Sequence, residues 1–121
     1  MRLLIVEDEA VTALHLTMEF TRRGYAVSSV SRGEDAVRHL DRQRPDAVLM
    51  DINLGGGMDG IETAIALKGR GAHRVVFMSG YEKERLQKRI GRDYSPTALL
   101  FPKPIRMSDI DELDRVFREG A

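Results

Sequence analysis

The sequence predicts an α/β layered fold with a mainly parallel sheet, and three observations carry that prediction. Five short apolar runs alternate with segments whose apolar residues recur at the helical period. The clearest runs are apolar at consecutive positions rather than every second one, as strands buried on both faces require. The chain has 121 residues, 42% hydrophobic and 31% charged, which suits one domain with one core and is too apolar for a disordered chain.

Arg2-Leu3-Leu4-Ile5-Val6 reads as the first strand and ends abruptly at Glu7-Asp8-Glu9. Val11, Leu14 and Met18 then recur at i, i+3, i+7 and mark a helix that Gly24 is placed to end. Tyr25 to Val30 is a second strand, less apolar and therefore nearer an edge. Ala36, Val37 and Leu40 mark the next helix, Pro45 stops it, and Ala47-Val48-Leu49-Met50 runs as a third strand into Asp51. After Gly55-Gly56-Gly57 a helix begins near Asp59-Gly60, with Ile61, Ile65 and Leu67 expected to face inward. Val75 to Met78 is the fourth strand, ending at Ser79-Gly80. The mostly charged helix from about Glu82 to Ile90 offers only Leu86 and Ile90 to a core. Ala98 to Phe101 is the fifth strand, closed by Pro102-Lys103-Pro104, and Ser108 is the expected cap of a last helix with Ile110, Leu113, Val116 and Phe117 on its inner stripe.

Composition excludes several functions. Nineteen Lys and Arg balance nineteen Asp and Glu, so neither direct nucleic-acid binding nor an acidic membrane surface is favoured. Cysteine is absent, which removes disulfides, thiolate zinc and thiol catalysis. Apolar runs reach only four residues, so neither membrane insertion nor a secretory leader is expected, and the default compartment is cytoplasmic. His15, His39 and His73 show no ligand spacing and are expected on elements away from the polar edge described next.

The reactive side chains fall at strand ends: Glu7 and Asp8 after the first, Asp51 after the third, Ser79 after the fourth and Lys103 after the fifth. In an open parallel sheet all of those ends share one edge, where ligands bind. Two carboxylates about 4 Å apart repel by roughly 4 kcal/mol at an effective dielectric near 20, so such a cluster needs a cation or a raised pKa. A hard divalent ion with oxygen ligands fits, magnesium above all, and the lack of His or Cys in the cluster argues against zinc or copper. Lys103 adds a fixed positive charge and Ser79 a hydroxyl, which together make a receptacle for a phosphoryl group. Asp51, the lone acid at its strand end, is the expected nucleophile, leaving Glu7 and Asp8 to hold metal.

Val6-Glu7-Asp8-Glu9, Leu49-Met50-Asp51-Ile52-Asn53-Leu54, Met58-Asp59-Gly60, Met78-Ser79-Gly80 and Lys103-Pro104 stand in the order and spacing of receiver domains, and over essentially its whole length the chain resembles these phosphoacceptor domains of two-component response regulators. The resemblance implies a flavodoxin-like three-layer α/β/α sandwich, with a five-stranded parallel sheet of order 2-1-3-4-5 and five helices; that strand order is one for which receiver proteins are the standard illustration. It implies a single receiver domain over residues 1–121, with no effector domain in this chain, so that output is protein-protein contact unless the chain is a piece of something longer. It implies that Asp51 accepts a phosphoryl group from a phosphohistidine on a sensor histidine kinase or histidine phosphotransfer protein. Asp8, Asp51 and the Asn53 backbone carbonyl would ligate Mg²⁺, with Glu7 acting through water. Ser79 would turn toward the phosphate and Lys103 would pair with it across a cis Lys103-Pro104 bond. Such a protein is a signalling phosphoacceptor that catalyses its own phosphorylation and dephosphorylation. Downstream contact is expected through residues 81–91 and 98–119, with a phosphorylation-linked homodimer among the alternatives.

Two departures from the family pattern stand out. The aromatic usually found three residues before the lysine is Leu100, with Phe101 beside it, so the usual aromatic switch is missing or moved. The loop after Asp51 is one residue longer than the commonest pattern and carries Gly-Gly-Gly in place of the usual proline, which predicts a mobile loop without metal or phosphate. Three other functions compete. A flavin or nucleotide binder would need a Gly/Ser/Thr-rich loop after the first strand, where this chain has acids. A magnesium phosphatase would need a cleft or lid for which these short loops leave little room. A phosphorylation-dead interaction module is disfavoured because all five pocket positions carry competent residues. Tyr81 is expected either at the pocket mouth, gating water, or partly buried at a helix start.

Overall fold

The computed structural model describes residues 1–72 and 74–119; His73, Gly120 and Ala121 lie outside them. Strands β1 (Arg2–Val6), β2 (Ala26–Val30), β3 (Ala47–Asp51), β4 (Val75–Ser79) and β5 (Leu100–Pro102) alternate with helices α1 (Ala10–Arg22), α2 (Gly33–Arg42), α3 (Gly60–Gly69), α4 (Lys83–Asp93) and α5 (Met107–Glu119). The strands form one sheet of order β2-β1-β3-β4-β5, and each pairing is parallel. The expected order holds, and β2 is an edge strand as its weaker apolarity suggested.

The pleat divides the core. Leu4, Val6, Val48, Met50, Val75 and Phe77 point to a layer filled by α2, α3 and α4, while Leu3, Ile5, Leu49, Val76 and Met78 point to a layer filled by α1 and α5. Alternate positions of each strand feed opposite layers and both layers are apolar, which is why the strands read as unbroken hydrophobic runs. Phe20, Tyr25 and Phe117 form an aromatic knot in the second layer, with Phe20 and Tyr25 edge to face at 5.2 Å between centroids.

Several local expectations are corrected. The stripe that identified α1 is not its buried face: Val11, Leu14 and Met18 are 80%, 61% and 56% exposed, and Leu16 and Phe20 pack on the sheet instead. Ile65 is 44% exposed, and Ile61, Ala64 and Leu67 fill the inner face of α3. Ser108 lies inside α5 rather than capping it; the Asp109 carboxylate accepts from the Arg106 backbone N–H at 2.9 Å. Tyr25 precedes β2 rather than opening it, and β5 begins at Leu100, leaving Leu99 exposed. Phe101 cannot take the place of the missing aromatic, because it packs in the α1/α5 layer whereas Leu100 lies with α4 on the opposite face.

Candidate functional site

Each reactive side chain stands where a strand of the sheet ends. Glu7 follows β1 and its backbone N–H continues the ladder to the Val30 carbonyl at 3.0 Å. Asp51 closes β3, Ser79 closes β4, and Lys103 follows β5 with its N–H donating to the Ser79 carbonyl at 2.9 Å. The Lys103-Pro104 bond is cis. Gly60 lets α3 begin against the end of β3: a Cβ there would lie 2.2 Å from the Asp51 carbonyl oxygen. Asp59 caps that helix in a reciprocal capping box with Glu62.

The acids converge as the topology demands. Glu7, Asp8 and Asp51 each place a carboxylate oxygen within 4.8 Å of the others, with Glu7 and Asp51 buried and Asp8 exposed. Lys103 Nζ stands 2.7 Å from Glu7 Oε1 and 3.3 Å from Asp51 Oδ2. Asp51 Oδ1 accepts the Asn53 backbone N–H at 3.2 Å. One ammonium thus faces two buried carboxylates. Burial and the adjoining Glu7 carboxylate push Asp51 up to about 7, against the opposing pull of Lys103 and the Asn53 amide. Burial alone would pull the Lys103 ammonium down, but Glu7 and Asp51 outweigh it and hold its pKa above the ordinary lysine value.

Glu7 Oε1 is shielded from solvent and, apart from the Lys103 ion pair, has no aligned hydrogen-bond donor among the described residues. Two buried carboxylates beside a third acid, sharing a single ammonium and offering oxygen donors only, fit a hard divalent cation. Glu7, Asp8 and Asp51 are the acids whose carboxylate oxygens stand close enough together to share it.

Ser79 is buried, but its Oγ lies 3.1 Å from Asn53 Oδ1 and 3.0 Å from the Tyr81 carbonyl, so its hydroxyl is turned to those acceptors. Tyr81 is 62% exposed and lines a cleft with Asp8, Asn53 and Gly55, which supports the pocket-mouth placement and removes the partly buried one. His15 is an exposed surface residue of α1, but it stands nearer the polar edge than expected, lining a groove of about 410 Å³ with Val11, Lys103, Pro104 and Ile105. Sequence reasoning also missed Glu34, which reaches from α2 to the Met58 N–H, and Arg89, which ties α4 to Asp59 at 2.8 Å. No described helix is long and apolar enough to cross a membrane.

Comparison with known proteins agrees with this geometry. A family model described as the response regulator receiver domain matches residues 3–112. Sporulation initiation phosphotransferase F of Bacillus subtilis is 33% identical over 116 residues, covering 93% of this chain and 86% of that protein. The N-terminal domain of a response regulator/sensory box/GGDEF three-domain protein from Carboxydothermus hydrogenoformans superposes with a TM-score of 0.82 at 28% identity, covering 98% of this chain and 94% of that one. The response regulator TrrA of Thermotoga maritima, solved in complex with Mg²⁺-BeF, superposes with a TM-score of 0.77 at 22% identity, covering 96% and 97%. The chain spans about half the length, or less, of several other curated relatives it matches.

Proposed function

Since the chain belongs to the response regulator receiver domains, we propose that it takes up a phosphoryl group on Asp51 from a phosphohistidine of a sensor histidine kinase or histidine phosphotransfer protein. The observation that carries this reading is the state of Asp51: buried, held by Lys103 through Oδ2, and pushed to about 7 by burial and Glu7. A carboxylate kept at a strand end with too little positive charge around it is poised for a cation and an electrophile.

An Asp51 oxygen attacks phosphorus, the Asp51 O–P bond forms, and the donor's P–N bond breaks with its electron pair leaving on the imidazole. Lys103 pairs with the arriving phosphoryl oxygens. Ser79, released from Asn53 and the Tyr81 carbonyl, donates its hydroxyl to another. Bound Mg²⁺ would neutralise charge on the phosphoryl oxygens, with Asp8, Asp51 and the Asn53 carbonyl as ligands and Glu7 acting through water. The cation in the Mg²⁺-BeF complex of TrrA supports that choice. Tyr81 at the mouth limits water access to the acyl phosphate. The protein is on this reading its own catalyst of phosphorylation and dephosphorylation, acting in the cytoplasm as one receiver unit over residues 1–121.

Two surfaces divide the partners. The exposed Val11, Leu14 and Met18 of α1, beside the groove that contains Lys103, suit the helical surface of a phosphoryl donor, because that donor must reach Asp51 from this edge. The downstream protein contacts residues 81–91 and 98–119, where α4 is held to the core mainly by Leu86 and Ile90; a phosphorylation-linked homodimer would use this same face.

Incubation with Mg²⁺ and acetyl phosphate, followed by intact mass, tests the reading. One base-labile phosphoryl adduct is expected, absent in Asp51→Asn and in EDTA. A stable adduct on Ser79 would overturn the mechanism.

A further inference from the structure

The loop between Asn53 and Asp59 is held at both ends by carboxylates. Near its start the Gly55 N–H donates to Asp8 Oδ2 at 3.0 Å. Near its end the Met58 N–H reaches Glu34 Oε2, a long contact at 3.4 Å. Glu34 belongs to the first turn of α2, an element that contributes none of the strand-end residues. Its carboxylate lies flat against Gly57: a Cβ there would stand 2.3 Å from Glu34 Oε2. Gly57 also has φ +70, a left-handed conformation that glycine adopts without cost. The second oxygen, Oε1, is shielded from solvent and has no hydrogen-bond donor among the described residues; its nearest cation is Arg32 Nε at 3.9 Å. The Glu34 backbone amide, and then that of Met58, hold the carboxyl below its ordinary pKa, so it stays an acceptor.

We infer that Glu34 is a positioning residue, an anchor on α2 that holds the Gly55–Met58 loop, and with it the Asn53 carbonyl, in place for the divalent cation. The inference rests on the phosphoacceptor reading of the site. Its physical basis is an asymmetry between the two anchors. Asp8 is itself a proposed ligand, so a cation competes with the Gly55 amide for its carboxylate. Glu34 touches no other carboxylate of the site and keeps its hold. In a loop with three glycines and no proline, a fixed point outside the metal shell replaces stiffness that the backbone lacks.

The test compares Glu34→Ala with Glu34→Gln, reading Mg²⁺ affinity by calorimetry and amide hydrogen exchange across residues 55–58. Gln keeps an acceptor oxygen for Met58 but loses the charge. Glu34→Ala should weaken Mg²⁺ binding by about 3- to 10-fold and raise loop exchange in the metal-free protein, while Glu34→Gln stays within about twofold of the parent. If both variants weaken binding equally, Glu34 acts only through its charge at the start of α2 and the inference falls. Glycine substitutions provide an independent pair. Gly57→Ala should displace the Glu34 carboxylate and reproduce the loop exposure, beyond the effect of Gly56→Ala, which has similar left-handed strain at φ +66 and no atom within 4 Å of its added Cβ. Equal exchange in the two would also overturn the anchor. A parent protein that takes up no Mg²⁺ would defeat the phosphoacceptor reading itself, whereas a parent that binds Mg²⁺ alongside an unaffected Glu34→Ala would defeat the anchor alone.

Discussion

Asp51 and Asp114 sit at opposite ends of the fold, and their charges are met in opposite ways. At the end of β3, Asp51 shares one ammonium with Glu7, and its carboxyl is pushed up to about 7 by burial and by that neighbour. At the other end, Asp114 of α5 accepts the Tyr25 hydroxyl at 2.6 Å and Arg118 Nε at 2.6 Å, with Arg23 Nη1 at 3.4 Å. Partial burial would raise Asp114, but Tyr25, Arg118 and Arg23 outweigh it and hold it below its ordinary pKa. Arg118 also lies over the Tyr25 ring at 4.8 Å. One acid met by two cations and a hydroxyl closes a structure. Two buried acids met by one cation leave room for another positive group, and that shortfall marks where a ligand acts.

The largest expected contrast is functional. Asp51→Asn should abolish phosphoryl uptake, by about 1000-fold or more, while Asp114→Asn leaves the rate within about twofold, both measured by intact mass over time. Loss of uptake in Asp114→Asn with the fold intact would dissolve the distinction.

Stability should then separate the two with opposite signs. In urea unfolding of the metal-free protein near about pH 8, Asp114→Asn should cost roughly 1–3 kcal/mol, because it strips charge from bonds that Arg118 and Arg23 keep. Asp51→Asn should gain roughly 1–2 kcal/mol by removing a carboxylate that folding disfavours, discounted for the partner charge that Lys103 loses. A loss from both substitutions would contradict the unequal compensation.

The pH profile carries the same contrast. Asp51 has a folded pKa near 7 against an ordinary 3.8, so the unfolded chain binds fewer protons between those values and stability falls as pH rises through that window. Asp114 is shifted down, so its contribution is present above the ordinary carboxylate pKa and is lost as pH falls below about 4. Asp51→Asn should flatten the first slope and Asp114→Asn the second, in denaturation midpoints taken across pH.

The sheet and its polar edge were legible because both are written locally: consecutive branched residues mark strands with two buried faces, and a charge directly after such a run must lie at the sheet's edge. The buried face of α1 was not legible. Val11, Leu14 and Met18 form one apolar stripe and Leu16 and Phe20 another; spacing finds a helix but cannot choose between stripes, and contact with the sheet takes the larger Phe20. Ser108 falls inside the first turn of α5, and it is Asp109, one residue on, that reaches back to the Arg106 N–H just before the helix, a register that propensity alone does not settle. Glu34 was invisible for a different reason. Its partner is the backbone of Met58, 24 residues away, and the only trace in sequence is the glycine beside that partner.

Calorimetric titration with Mg²⁺ near about pH 7.5, on the parent protein and on Asp51→Asn, tests the central claim most directly. The uncompensated acids predict uptake of one ion by the parent and loss or strong weakening of that uptake when the Asp51 charge is removed. No uptake by the parent, or equal uptake by both, would contradict the account.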